Sequence, residues 1–254
     1  MPLPRPLHIG LLGAMQEEIG SDLSHLQQLS SSTHGDLTLH HGVWGDGIQL
    51  TLAWSGWGKV CAARAATRLL AAAPDLDLLI FTGVAGAANP DQHQWDVLLA
   101  DAVVQHDMDA SPLLPRFTLP PLNRDRLEPD QSWFTWAAQA LKSAAGNGEL
   151  QGFGGFSSGL IATGDRFIGD ASLRQELRDA LPGLQAVEME GGAVAQVAEQ
   201  EGIPWLLIRV ISDGADKSAA QSFTDFVQVY EQQAWRLIEA LLRRLNNPLS
   251  LIHI

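Results

Sequence analysis

Three apolar runs constrain this chain more than anything else in it. "HIGLLGA" (8–14), "LDLLIFTGVAG" (76–86) and "PWLLIRVISD" (204–213) are apolar almost throughout, as strands are when both faces of their sheet are covered. A half-exposed sheet would show alternation instead. Further β-type runs are "IQLTLAWSG" (48–56), "WDVLLADAVV" (95–104) and "GLIATGDRF" (159–167), and an apolar strand leads into "AVEMEGGA" (186–193). Between them "KVCAARAATRLLAAA", "SWFTWAAQALKSAAG", "GAVAQVAEQEG" and "FTDFVQVYEQQAWRLIEALLRRL" carry helical spacing. This alternation predicts an α/β fold with a sheet between helices, as one domain over 1–246 without internal repeats. Residues 247–254 read as a tail. Residues 105–130, rich in Pro, Asp and Arg, read as a long loop, and 146–155 as a Gly-rich connection.

Composition narrows the partners. At 254 residues with 46% hydrophobic and 18% charged side chains, the chain can bury a sizeable core. Its net charge of -13 opposes nucleic acid and anionic membrane, both polyanions, and leaves small molecules or further copies of itself. The start has no convincing signal segment, and no apolar run has the length of a membrane helix, so a soluble cytoplasmic protein is expected. The lone Cys61 is expected to be a small buried hydrophobe. The eight His are scattered, with His40 and His41 in a strand-like, exposed stretch, and no metal site is expected.

In open α/β sheets ligands bind beyond the carboxyl ends of strands, which points to Glu17 and Glu18, Ser55–Gly56, Thr82 to Gly86, Asp165 to Ile168 and Arg209 to Asp213. "SGWGK" and "TGVAGAA" lack the spacing of a P-loop or a dinucleotide fingerprint. Two glutamates beside Met189 and an arginine inside "LLIRVIS" are costly unless each has a partner or a task. For Arg209 the expected partner is Glu18 or Glu190.

In order along the chain, "GLLGAMQEE", "SGWGKVCAARA", "FTGVAGAA", "ATGDRFIGD", "AVEMEGGAVA" and "RVISDGAD" resemble the methylthioadenosine/S-adenosylhomocysteine nucleosidases of the purine nucleoside phosphorylase superfamily. The resemblance spans nearly the whole chain. It implies a single α/β domain around a central twisted mixed β-sheet, a homodimer, and cofactor-free cleavage of the N-glycosidic bond to adenine. That chemistry needs an acid for the leaving purine, a base for water, and a grip on a sugar that becomes cationic.

The resemblance assigns the acid to Asp213 and the base to Glu18, with Glu17 as a solvated residue of the first helical turn. Arg209 and Ser212 help order water and base. Glu190 takes the ribose hydroxyls and favours the cationic transition state, Met189 packs on the sugar, and Glu188 supports them, read as pointing the other way in an extended segment. Gly191 and Gly192 let the helix begin close to the strand end. Phe167 stacks on adenine and the Ile168 backbone reads its edge.

Two positions depart from the family: Val84 replaces a serine, and Trp57 stands where an aliphatic residue is usual, which bears on the 5′ substituent. Ala110 and Leu113 fall in a segment that in the family often reaches the neighbouring subunit's pocket, and His106 and Asp107 have a structural reading there. The rivals are a phosphorylase, which Arg209 and Arg116 favour and Glu17 and Glu18 oppose by repelling phosphate; a hydrolase of futalosine-type nucleosides; and a non-catalytic nucleoside binder.

Overall fold

The computed structural model describes residues 6–245, so the predicted tail at 247–254 lies outside the described residues. Among these residues a single nine-stranded sheet runs through the molecule. Its strands are β1 (His8–Gly13), β2 (Gln27–His34), β3 (Leu37–Trp44), β4 (Ile48–Trp54), β5 (Leu78–Ala87), β6 (Val97–Gln105), β7 (Phe156–Thr163), β8 (Leu184–Glu188) and β9 (Trp205–Asp213). The helices are α1 (Lys59–Ala72), α2 (Gln131–Gly146), α3 (Ala171–Ala180), α4 (Gly191–Glu201) and α5 (Ala219–Leu245). The mixed α/β class expected from the alternation is the class observed, and none of the helices is long and apolar enough to cross a membrane.

The sheet order is β2-β3-β4-β1-β5-β8-β7-β6-β9, and β9 also pairs with β5. Five strands therefore close on themselves, which an open-sheet reading does not anticipate. The closure is possible because β5 is long. Residues Leu79 to Ala85 run parallel to Trp205 to Ile211 of β9, while Gly86 and Ala87 turn to pair antiparallel with β8. Closing a sheet removes edges and brings the ends of several strands around one opening. That opening is where the apolar runs deliver their polar residues.

The three apolar runs are buried as read: every residue of β1 and β9, and all of β5 except Gly86. On one face α2 and α5 pack Trp133, Leu141, Phe226, Tyr230 and Leu237 against β1, β5 and β9. On the other, α1 and α4 pack Ala62, Ala66, Leu69, Val194 and Ala198 against Phe81 and Leu207. The alanines let these two helices approach each other and the sheet closely.

Corrections concern the polar pieces. His40 and His41 are half-buried, because β3 lies between β2 and β4, and the His41 ring bridges the hydroxyls of Ser32 and Thr51. Cys61 is half-buried on the first turn of α1 rather than in the core.

Candidate active site

Four carboxylates, delivered by the ends of β1, β8 and β9, line one pocket. Its wall includes Glu18, Val84, Ile168, Glu188, Met189, Glu190, Ser212 and Asp213, with Trp57, Phe167 and Phe223 also lining it.

Glu18 closes a single 3-10 turn just after β1 and is 3% exposed. One carboxylate oxygen accepts the backbone N–H groups of Ala14 and Met15, and the other accepts the N–H of Val84 at 3.0 Å. Val84, one of the two departures noted in the sequence, thus contributes its backbone N–H. Gly83 makes room for this arrangement: a Cβ there would stand 2.4 Å from the Glu18 oxygen. Burial raises the Glu18 pKa, outweighing Arg209 and the three N–H donors that favour the anion. Glu17 is half-buried next to it and does not line the pocket.

Asp213 ends β9, buried at 6% exposure. Its carboxylate accepts the Ser212 hydroxyl at 2.7 Å and the Ala215 N–H at 2.8 Å, where the chain turns back through a left-handed residue, Ala215 at φ 46°. Burial raises its pKa in spite of both bonds, with Asp216 adding to the rise. A carboxyl whose pKa is raised in this way is better suited to donating a proton than a solvated aspartate.

The two glutamates of "EME" have separate surroundings. Glu188 accepts from the Thr163 hydroxyl, from Arg209 Nη2 at 2.6 Å, and from the N–H groups of Glu190 and Gly191 that open α4. It therefore satisfies donors that a helix start leaves unpaired and neutralises a guanidinium that is 1% exposed. Glu190 faces the turn before α1, accepting the Gly58 N–H at 2.7 Å. Burial pushes its pKa up to about 8, helped by the negative fields of Glu188 and Glu18.

The divergence of the two side chains was expected, but its cause is different. Residues i and i+2 of a strand share a face, whereas here β8 stops at Glu188 and Glu190 begins the turn into α4. Gly191 then packs directly on β9, where a Cβ would meet Leu207 at 2.5 Å.

Arg209 needs the main correction. Its partner is Glu188, not Glu18 or Glu190, and its guanidinium lies 4.3 Å over the Phe81 ring without lining the pocket. It acts from behind, through Glu188. Arg116 sits on the Phe117 ring and is likewise absent from the wall.

The other sequence-derived residues assemble as follows. Phe167 is 43% exposed and Trp57 57% exposed, and both meet Phe223 edge-on, with ring centres 5.9 and 6.0 Å apart. Ile168 is buried beneath them. Phe223, Met15 and Val187 were not singled out, and Arg166 fell within the Asp165 to Ile168 stretch without a role of its own. Phe223 reads in sequence as one more apolar residue of the last helix, and only the folded position of α5 brings it to the pocket. Ala110 and Leu113 lie in an exposed loop, and neither lines the wall.

With this geometry in view, comparison with known proteins is direct. Residues 8–243 match the family model of the phosphorylase superfamily. A 5′-methylthioadenosine/S-adenosylhomocysteine nucleosidase of Chromohalobacter salexigens is 33% identical over 238 residues, covering 94% of this chain and 97% of the relative. Among solved structures, the nucleosidase of that name from Neisseria meningitidis, in complex with methylthio-immucillin-A, superposes with a TM-score of 0.84 at 27% identity, over 93% of this chain and 98% of that one. The futalosine hydrolase of Helicobacter pylori gives 0.83 at 30% identity, over 93% and 97%.

Proposed function

The chain belongs to the phosphorylase superfamily, and from that premise we propose that it hydrolyses the N-glycosidic bond of 5′-methylthioadenosine and S-adenosylhomocysteine, releasing adenine and the 5′-substituted ribose. The observation that carries this reading is the set of three separately buried carboxyls, Glu18, Glu190 and Asp213, around one pocket. In the proposed reaction Asp213 protonates the leaving base, and Glu18 takes a proton from the attacking water. Glu190 accepts from the ribose hydroxyls, and in its ionised form its charge favours the cationic transition state over the neutral substrate. Phe167 stacks on adenine beside Ile168, Met189 packs on the sugar, and Trp57 and Val84 shape the wall. Ser212 holds Asp213, while Arg209 and Glu188 hold the turn that presents Glu190. No cofactor is required for this chemistry.

Phosphorolysis fits the wall less well. A phosphate would need cationic donors; Arg209 is already paired, and Arg166 is a single cation on a wall that carries four carboxylates. The likeness to a futalosine hydrolase favours a second reading, in which the 5′ group is larger. We also propose a cytoplasmic homodimer, a state supported by Leu113 and Val60, exposed at 87% and 79%. A panel of nucleosides that differ only at the 5′ position separates the two substrate readings. Cleavage of methylthioadenosine and S-adenosylhomocysteine well ahead of futalosine is expected; a preference for futalosine would replace the first reading with the second.

A further inference from the structure

One closed circuit of contacts near the pocket takes no part in the proposed chemistry. Lys59 Nζ donates to one oxygen of Asp107 at 2.6 Å, and the other oxygen accepts the Asp165 N–H at 2.9 Å. Asp165 in turn accepts the backbone N–H of Lys59 at 2.7 Å. The circuit joins the first residue of α1, the second residue past β6 and the second past β7. Two of the segments it ties carry pocket groups. Gly58, immediately before Lys59, donates to Glu190, and Trp57 precedes it; Phe167 follows Asp165 by two residues.

Two observations say that this circuit has work to do. A lysine in the first turn of a helix is at the wrong end of the helix dipole, so its place there calls for the compensation that Asp107 gives. The pair is also partly shielded, with side chains 20% and 30% exposed, where an ion pair is less screened than on an open surface. Each segment is also anchored at its own strand end, Ser55 and Gly56 donating to Gly13 and Ala14 and Gly164 donating to Glu188, and the circuit links one segment to the other. Residues 55–58 and 164–170 lie outside strands and helices, and Phe167 meets Phe223 only edge-on.

We infer that Lys59, Asp107 and Asp165 form a clasp that fixes the distance between the turn orienting Glu190 and the loop carrying Phe167, making Lys59 and Asp107 positioning residues for the nucleoside. The inference rests on the roles proposed above for Glu190 and Phe167. Lys59→Met keeps the backbone N–H and removes the side-chain cation, and Asp107→Ala removes the other half. Each variant is expected to raise KM for methylthioadenosine about five-fold or more, and the double variant to be no worse than the poorer single, since Asp107→Ala already removes the ion pair that Lys59→Met breaks. Lys59→Arg restores KM.

Amide hydrogen exchange reads the clasp without any substrate: residues 55–59 and 164–168 exchange faster in both variants while β5 and β9 keep their protection. Unchanged exchange in either segment, or KM effects that multiply in the double variant, would overturn the clasp. If Asp107→Ala does not fold, Lys59→Met carries the same test. A wild-type protein that does not cleave methylthioadenosine would overturn the functional reading instead, and the exchange result would still decide the clasp.

Discussion

Glu190 is the residue at which burial and function most clearly oppose each other. Its pKa is about 8 in the folded protein against 4.5 as the ordinary value, so the folded chain keeps a proton that the unfolded chain releases. For an acid with a raised folded pKa, the stability present below pH 4.5 is lost as pH rises toward 8. Glu190→Gln removes that loss. It is expected to stabilise the protein at pH 8 more than at pH 5, by up to about a few kcal/mol, as read by thermal melting at both pH values. The same variant should lower kcat by roughly 10²–10³, the usual cost of removing one group aimed at transition-state charge. An equal melting shift at both pH values would contradict the assigned burial. Glu190 was legible in the sequence as a charge in an apolar setting, whereas Glu18 and Asp213 were singled out by the resemblance; all three reach the pocket. The pairing of Arg209 with Glu188 was not legible, because it depends on how β8 ends against β9.

At the scale of elements, sequence signals and burial agree. The strands read as apolar runs and the helices read from their spacing are all present, because each buries a broad apolar face. What was missed is polar or exposed. β2, "QQLSSSTH", is an edge strand with most of its residues in water, and α3 buries only Leu177. Neither has an apolar stripe for periodicity to find. The start of α3 has a capping signal instead, with Asp170 accepting the Ser172 N–H at 2.7 Å. A glycine tests the fit between two elements. At Gly83 on β5 a methyl group would stand 2.4 Å from the Glu18 carboxylate. Gly83→Ala must therefore displace that side chain, and overpacking of this type costs about 1–3 kcal/mol. The expected result is a lowered melting temperature with a larger loss in kcat than in substrate affinity. Full activity in this variant would mean that Glu18 is not held where the reaction needs it.

For the whole molecule, the closed set of five strands is what makes one site from distant parts of the sequence. β1, β4, β5, β7, β8 and β9 each end or turn near the pocket, and the start of α5, soon after β9, adds Phe223. Sequence order could suggest the parts and the resemblance could group them, but the β5–β9 pairing that assembles them has no local signature, since strand partners are set by the whole packing. The resulting pocket is acidic, within a chain whose net charge is -13. That suits an attacking water and a cationic sugar better than a phosphate nucleophile. Adenine release from methylthioadenosine, followed with phosphate removed and then restored, tests this most directly. Equal rates and free 5-methylthioribose in both conditions are predicted. Strict dependence on phosphate with a sugar 1-phosphate as product, or no adenine released in either condition, would contradict it.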